Sequence, residues 1–358
     1  MPELARPAST AEGADVLRDA AARGLTVVPR GRGTKQGWGM PVAPDLVVDL
    51  AGMDRVLDHQ AGDLIVETQA GARLADVQAH VAREGQRLAL DETVPGASIG
   101  GTVATNASGP QRLVAGTARD LLIGVTVVRA DGVVAQAGGR VVKNVAGYDL
   151  GKLVVGSFGT LAVVTEAVFR LHPEPEVRRW VTTVAEDPHA LVHRVVHSQA
   201  VPWAVEVDGA TVSVMLGGRP EGVAARVEAV RAMVGGSVSD APPAWWGTYP
   251  WEPGETGVKV TCVLSGLRDV LAAAGPRVRG SAGAGVLYAV AEDPDHVERL
   301  RAVAARHGGT VVVVDAPDEV KQAVDVWGPV SALDLMQRVK DQLDPDHRLS
   351  PGRFVGGI

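Results

Sequence analysis

The run Pro29-Arg30-Gly31-Arg32-Gly33-Thr34-Lys35-Gln36-Gly37-Trp38-Gly39 follows a predicted strand directly and mixes glycines with three cations. Glycines lack a Cβ, so successive backbone N–H groups can turn inward on one anion, while Arg30, Arg32, Thr34 and Lys35 add side-chain donors. A pyrophosphate suits that arrangement. A dinucleotide-binding Rossmann turn is the rival reading and fits badly. The spacing is not Gly-x-Gly-x-x-Gly, and Met40-Pro41-Val42-Ala43-Pro44 cannot open the helix that such a turn requires. A flexible surface loop is the plainer alternative.

A second run, Asp91-Glu92-Thr93-Val94-Pro95-Gly96-Ala97-Ser98-Ile99-Gly100-Gly101-Thr102-Val103-Ala104-Thr105-Asn106-Ala107-Ser108-Gly109, has almost no bulky side chains. Backbone there can press against a flat ring, with Thr105, Asn106 and Ser108 as short hydrogen-bonding arms. It suits a long cofactor laid across it, and an ordinary glycine-rich loop would not explain its length. A third run, Gly147-Tyr148-Asp149-Leu150 and then Gly156-Ser157-Phe158-Gly159-Thr160-Leu161-Ala162-Val163-Val164-Thr165, is a turn feeding a buried strand and by itself reads as structural. His193 and His197 lie four apart on a predicted helix, which is ligand spacing, although two solvated surface histidines satisfy the same pattern. No metal site is expected.

These runs need elements to hold them. Ser9-Thr10-Ala11-Glu12 has capping-box spacing before an alanine-rich helix to residue 23, with Gly24 at its end. Strands are predicted at 25–29, 46–49 and 64–69, a helix at 74–84, loop throughout 91–116, and strands at 124–129 and 161–171. His172-Pro173-Glu174-Pro175 marks a boundary. Beyond it the order strand 178–184, helix 188–199, strands 203–207 and 211–216, helix 220–234 returns as strand 258–264, helix 267–274, strands 277–281 and 285–291, helix 293–307 and strand 310–314. Two such units suggest helices on one face of an antiparallel sheet, an α+β arrangement. A closing helix is expected at 330–343. The expected division is therefore 1–175 and 176–358.

Composition narrows the function. The formal net charge is −7 with acids and bases interleaved, which argues against nucleic acid because phosphate binding wants a clustered basic face. The one cysteine, Cys262, excludes a disulfide framework or a cysteine-held iron–sulfur cluster within the chain. No stretch approaches the roughly 20 apolar residues of a membrane helix. A cytoplasmic protein is expected, at most peripheral to the inner face of the cell membrane through partners.

In their order, the three runs resemble the FAD-binding (PCMH-type) domain of the family that includes vanillyl-alcohol oxidase, alkyl-dihydroxyacetone-phosphate synthase and the FAD-linked D-lactate and D-2-hydroxyglutarate dehydrogenases. The likeness covers residues 20–175, and Ser98-Ile99-Gly100-Gly101-Thr102-Val103-Ala104-Thr105-Asn106 is its most specific piece. It implies a two-subdomain FAD-binding domain followed by a smaller, truncated α+β cap. It also implies that Arg30, Gly31, Arg32, Gly33, Thr34 and Lys35 hold the pyrophosphate. Asp91, Pro95, Gly96, Ser98, Gly101, Thr102, Thr105, Asn106, Ser108 and Gly109 would run along the flavin and its chain, and Gly159, Val163 and Val164 would line the adenosine end. Covalent members of the family attach flavin through a histidine, often in the first loop. Residues 29–40 contain none, so non-covalent FAD is expected.

Lys143-Asn144-Val145-Ala146-Gly147-Tyr148-Asp149-Leu150, with the short chain, is most similar to the FAD-binding E subunits of bacterial glycolate oxidases. That resemblance implies oxidation of glycolate or another small 2-hydroxy acid in a complex with a sister flavin subunit and an iron–sulfur subunit. The dehydrogenase relatives carry a His-x-Gly-Asp-Gly-Asn-type stretch in the second domain, which is missing here, and an Arg and Thr where this chain has Val142 and Ala146. Lys143 is the one weak catalytic candidate. A stand-alone D-lactate-type dehydrogenase and a non-catalytic flavin-holding scaffold remain the alternatives. Trp245, Trp246 and Trp251, in a proline-rich loop, fit a partner contact, the flavin face or internal packing.

Overall fold

A computed structural model describes residues 1–140 and 149–358, so Val142, Lys143, Ala146 and the Gly147-Tyr148 pair lie outside the described residues. The chain forms two compact units. The first comprises Met1–Ser108, Thr117–Glu174 and Pro329–Ile358, and the second Gly109–Gly116 and Pro175–Gly328.

In the first unit the helix Thr10–Ala22 starts where the Ser9 side chain accepts a hydrogen bond from the Glu12 N–H at 3.2 Å. Its buried residues Gly13, Ala14, Leu17 and Ala20 recur at helical spacing, and the helix packs on the strands Leu122–Val128 and Val163–Arg170. This unit holds two main sheets, beside a two-stranded pairing of Gln86–Arg87 with His172–Pro173. A parallel one runs in the order Glu3–Ala5, Leu46–Asp49, Val27–Arg30. An antiparallel one runs Val56–Gln60, Ile65–Gln69, Val163–Arg170, Leu122–Val128, Val134–Gly138. The strand Val163–Arg170 at its centre is buried along nearly its whole length, and its sequence shows no strict apolar–polar alternation.

The second unit holds an eight-stranded sheet in the order Ser237–Ser239, Val177–Val184, Thr211–Gly218, Ala204–Asp208, Val278–Ser281, Val286–Ala291, Thr256–Thr261, Val311–Asp315, antiparallel at every pairing. The first predicted repeat supplies three neighbouring strands and the second four, and they meet where Ala204–Asp208 pairs with Val278–Ser281. The helices Pro220–Val234, Pro188–Val196, Leu267–Ala274 and Pro294–Arg306 touch one another in that sequence and so form one layer. The architecture is α+β.

Two expectations need correction. The stretch 91–116 is not loop throughout: the helix Ile99–Thr105 lies within it, capped by the Ser98 hydroxyl accepting from the Gly101 N–H at 3.2 Å, and a short turn of helix covers Arg112–Ala115. Its glycines and threonines are weak helix formers, so tertiary packing of Ile99, Thr102 and Val103 carries it. The second division does not run to residue 358. Residues 329–358 return to the first unit because Lys340, on the helix Leu333–Leu343, is buried there and donates to the Thr160 carbonyl at 2.7 Å, and because Leu349 extends the parallel sheet by a bridge to Val27. Of the three readings offered for the tryptophans, Trp246 and Trp251, both half-buried, have contacts of internal packing. Trp246 stands edge-on to Trp180 at 6.1 Å against Ala204 and Met215, and the Trp251 ring fills the space above Gly257, where a Cβ would come within 2.2 Å of it.

Candidate functional site

The first unit contains a concave cleft, partly open to solvent. Three stretches far apart in sequence build it: Pro29, Arg30, Gly31, Gly33, Thr34, Lys35 and Gln36; Ser98, Gly100, Gly101, Ala104 and Thr105; and Ser157, Phe158, Gly159, Ala162 and Val164. Leu50, Ala70 and Arg353 complete the lining.

Local geometry explains why these residues meet. Gly31 sits so close to the cap of the second stretch that a Cβ there would lie 2.2 Å from the Ser98 hydroxyl, which also accepts from the Arg32 N–H at 3.4 Å. Gly159 has φ +74°, and a Cβ on it would come within 2.7 Å of the Pro29 ring. Glycine at these two positions lets the first stretch touch the second and third.

The structure gathers ten of the expected residues into the lining: Arg30, Gly31, Gly33, Thr34, Lys35, Ser98, Gly101, Thr105, Gly159 and Val164. It does not bring the others there, and the reasons are geometric. Along the helix Ile99–Thr105 the residues 100, 101, 104 and 105 share one face, so Thr102 turns into the core. Val163 and Val164 are consecutive strand residues with opposite faces, and only Val164 meets the cleft. Asn106 caps the helix in a left-handed conformation, φ +49°, and its side chain accepts from the Arg119 N–H at 3.3 Å. Ser108 is buried and donates to the Asn106 carbonyl at 3.3 Å. Asp91, Pro95 and Gly96 lie outside the lining, with the Gly96 N–H taken by Glu92 at 3.1 Å. Gly109 belongs to the second unit. Arg32 turns to the Gly71 carbonyl at 3.0 Å and to Asp54 at 3.2 Å.

The cations of the cleft are not equivalent. Arg30 lines it but donates to Asp49 at 2.8 Å. Burial alone would raise the Asp49 carboxyl, yet the hydrogen bonds from Arg30 and the Ala51 N–H, with the charges of Arg30 and Arg6, hold it below the ordinary carboxylate value. Lys35 is buried, its Nζ lies 3.5 Å from the Thr34 hydroxyl and 5.9 Å from the Trp38 ring centre, and it forms no ion pair among the described residues. Burial pulls its pKa down to about 8, with the Glu92 charge opposing. Arg353, 6% exposed, brings a second buried cation, likewise without an ion pair among the described residues. Two buried cations without an ion pair among the described residues line one cleft, an arrangement that suits an anion.

Sequence reasoning missed Arg353, whose one local signal is its place directly after Ser350-Pro351-Gly352. Gly100, Ala104, Ser157 and Phe158 lie inside the quoted runs but were not singled out. His193 and His197 stack ring on ring at 4.1 Å, with His197 Nδ1 at 2.8 Å from the His193 carbonyl, and no metal-ligating group of three or more side chains occurs among the described residues. No helix among the described residues is long and apolar enough to cross a membrane.

Residues 2–138 match the FAD binding domain family model. Over 205 residues the chain is 32% identical to the glycolate oxidase subunit GlcD of Bacillus subtilis, an overlap covering 56% of this chain and 44% of that protein. Over 172 residues it is 33% identical to a D-lactate dehydrogenase of Archaeoglobus fulgidus, covering 48% and 39%. The matched stretches span 37% to 44% of these curated relatives and of two FAD-linked oxidoreductases of Mycobacterium tuberculosis, so less than half of each. A solved structure of alkyldihydroxyacetonephosphate synthase superposes with a TM-score of 0.69 over 97% of this chain and 75% of that one, at 15% identity, a likeness of fold. The first unit is thus a PCMH-type FAD-binding domain, and FAD is its cofactor. The cleft carries the buried cations Lys35 and Arg353 and a wall of small residues between 98 and 105.

Proposed function

We propose that the chain is the FAD-binding E-type subunit of a glycolate oxidase-like complex, which oxidises glycolate or a similar small 2-hydroxy acid to the 2-oxo acid and passes the electrons to an iron–sulfur partner. The observation that carries this reading is the cleft itself, where two buried cations without ion-pair partners among the described residues meet a wall of small residues, most of the lining falling in the segment that matches an FAD binding domain. The similarity to a protein named a glycolate oxidase subunit supports the substrate class and the complex. FAD supplies the two-electron acceptance that oxidation of a CH–OH carbon requires. The chain's own part is to hold and orient it. Lys35 and Arg353 neutralise the pyrophosphate, and residues Gly31, Gly100, Gly101 and Ala104 allow close approach of backbone. Ser98 keeps the helix Ile99–Thr105 in place behind them. The iron–sulfur centre belongs to a partner, because one cysteine cannot ligate a cluster.

The similarity to a D-lactate dehydrogenase favours a second reading, a self-sufficient hydroxy-acid dehydrogenase. Gentle purification from native cells separates the two. The leading reading expects a complex containing a cysteine-rich iron–sulfur chain, whose flavin absorbance bleaches on adding glycolate. An isolated yellow monomer that bleaches with D-lactate would establish the second reading instead, and a complex whose flavin no 2-hydroxy acid reduces would leave only a flavin-holding scaffold. Acid precipitation should release all the yellow colour to the supernatant, as non-covalent FAD requires.

A further inference from the structure

We infer that the C-terminal tail completes the cofactor site, with Arg353 binding the pyrophosphate of FAD together with Lys35; this rests on the FAD reading of the cleft. Arg353 is a buried guanidinium on the cleft wall with no carboxylate partner among the described residues. Its acceptors among the described residues are neutral. Nε donates to the Trp38 carbonyl at 3.2 Å, Nη1 to the Gln36 side chain at 3.2 Å, and Nη2 to the carbonyls of Lys35 at 3.2 Å and Gln36 at 2.8 Å. A guanidinium has five N–H groups, so one remains on Nη1. Burial lowers its pKa only to about 10, so it stays charged at neutral pH.

A buried charge without a counter-ion is costly, and an apolar residue would pack the same space more cheaply. The tail is nevertheless held firmly there. Val27 N–H donates to the Arg348 carbonyl and Ser350 N–H to the Val27 carbonyl, both at 2.8 Å, and Phe354 stacks on Phe158 at 5.5 Å. The missing counter-charge is therefore a ligand's. Of the parts of FAD, the isoalloxazine, ribityl chain and adenosine are neutral, and the pyrophosphate alone carries negative charge. Its oxygens suit the planar fork of an arginine.

The test uses the full chain stripped of FAD, with ADP and adenosine as probes by calorimetry and FAD by fluorescence quenching. R353Q should weaken ADP and FAD about ten- to a hundredfold, the loss of a charge-assisted contact, while adenosine shifts by less than about threefold. R353K should recover part of the ADP affinity, because it restores a point charge without the fork. ADP affinity in R353Q within about twofold of the parent would overturn the inference. So would equal losses for ADP and adenosine, the signature of a tail that only shapes the cleft. If R353Q does not fold, R353K decides: its ADP affinity must fall below the parent's while its adenosine affinity holds. A parent chain that binds neither FAD nor ADP would instead overturn the FAD reading itself.

Discussion

Lys340 and Asp344, one turn apart on the last long helix and its end, form an ion pair of 2.7 Å with both side chains fully buried. Lys340 Nζ also donates to the carbonyls of Thr160 at 2.7 Å and Leu349 at 3.0 Å, and Asp344 accepts from the Leu349 N–H at 2.7 Å. Burial lowers the Lys340 pKa, against the hydrogen bond and charge of Asp344. The pair ties the tail to Thr160, the neighbour of Gly159 in the cleft wall. Removing one partner leaves the other charged and buried, so K340M or D344N should cost about 3–5 kcal/mol. The double variant K340M/D344L should be less destabilised than the sum of the singles, because no unpaired charge remains. Urea unfolding of the three variants measures this, and strictly additive losses would disprove the coupling.

Lys35 makes FAD affinity depend on pH. Its folded pKa without ligand, about 8, lies below its ordinary 10.5. A pyrophosphate beside it favours the charged form, so binding takes up a proton once the pH exceeds about 8. Affinity should be flat from pH 6 to 7.5 and fall above about 8 by up to tenfold per pH unit. K35M should bind more weakly and lose the slope. The stability of the FAD-free chain moves the other way. Between about pH 8 and 10.5 the unfolded state binds more protons at this site, so the Lys35 contribution to stability rises with pH. A pH-independent Kd across pH 8–9.5 in the parent chain would rule this out.

The glycines that let the cleft walls meet should not tolerate a methyl group. In G159A the new Cβ meets the rigid Pro29 ring and the residue keeps a left-handed φ, so a loss of about 1–3 kcal/mol is expected with weakened FAD binding. In G31A the methyl strikes the Ser98 hydroxyl and should cost the helix its cap, about 1 kcal/mol. G222A, on an open face of the helix Pro220–Val234 where a Cβ meets nothing within 4 Å, should be neutral or slightly stabilising. Thermal melts with and without FAD discriminate the three, and equal behaviour would refute the steric argument.

Much of this was legible in the sequence for physical reasons. Periodicity located the helix Thr10–Ala22 and most strands of both units, though not Glu3–Ala5, Val56–Gln60 or Ser237–Ser239, since amphipathic spacing is a local property. Glycine clusters located two walls of the cleft, because close backbone approach demands them. The helix Ile99–Thr105 was hidden by its own small residues, which serve the ligand rather than the helix. The strand Val134–Gly138, at the edge of its sheet, alternates between exposed and half-buried positions and carries little apolar signal. Beyond its place after Ser350-Pro351-Gly352, nothing local points to Arg353, because its partner Trp38 lies 315 residues away.

The three cations of the first run, alike in sequence, should separate in experiment. Arg30 and Arg32 are engaged by Asp49 and Asp54, whereas Lys35 has no carboxylate in ion-pair contact among the described residues. An arginine whose charge a carboxylate already balances adds little field at the cleft, so its removal acts through the fold. R30A should destabilise the chain by about 1–2 kcal/mol by stripping Asp49, only 11% exposed, of its main donor. R32A breaks a more exposed pair, with Asp54 52% exposed, and should cost less than about 1 kcal/mol. Both should leave FAD affinity within about threefold of the parent, while K35M should lower it about ten- to a hundredfold. Fluorescence titration of the three variants decides, and an R32A defect as large as that of K35M would mean that Arg32 leaves Asp54 to meet the ligand.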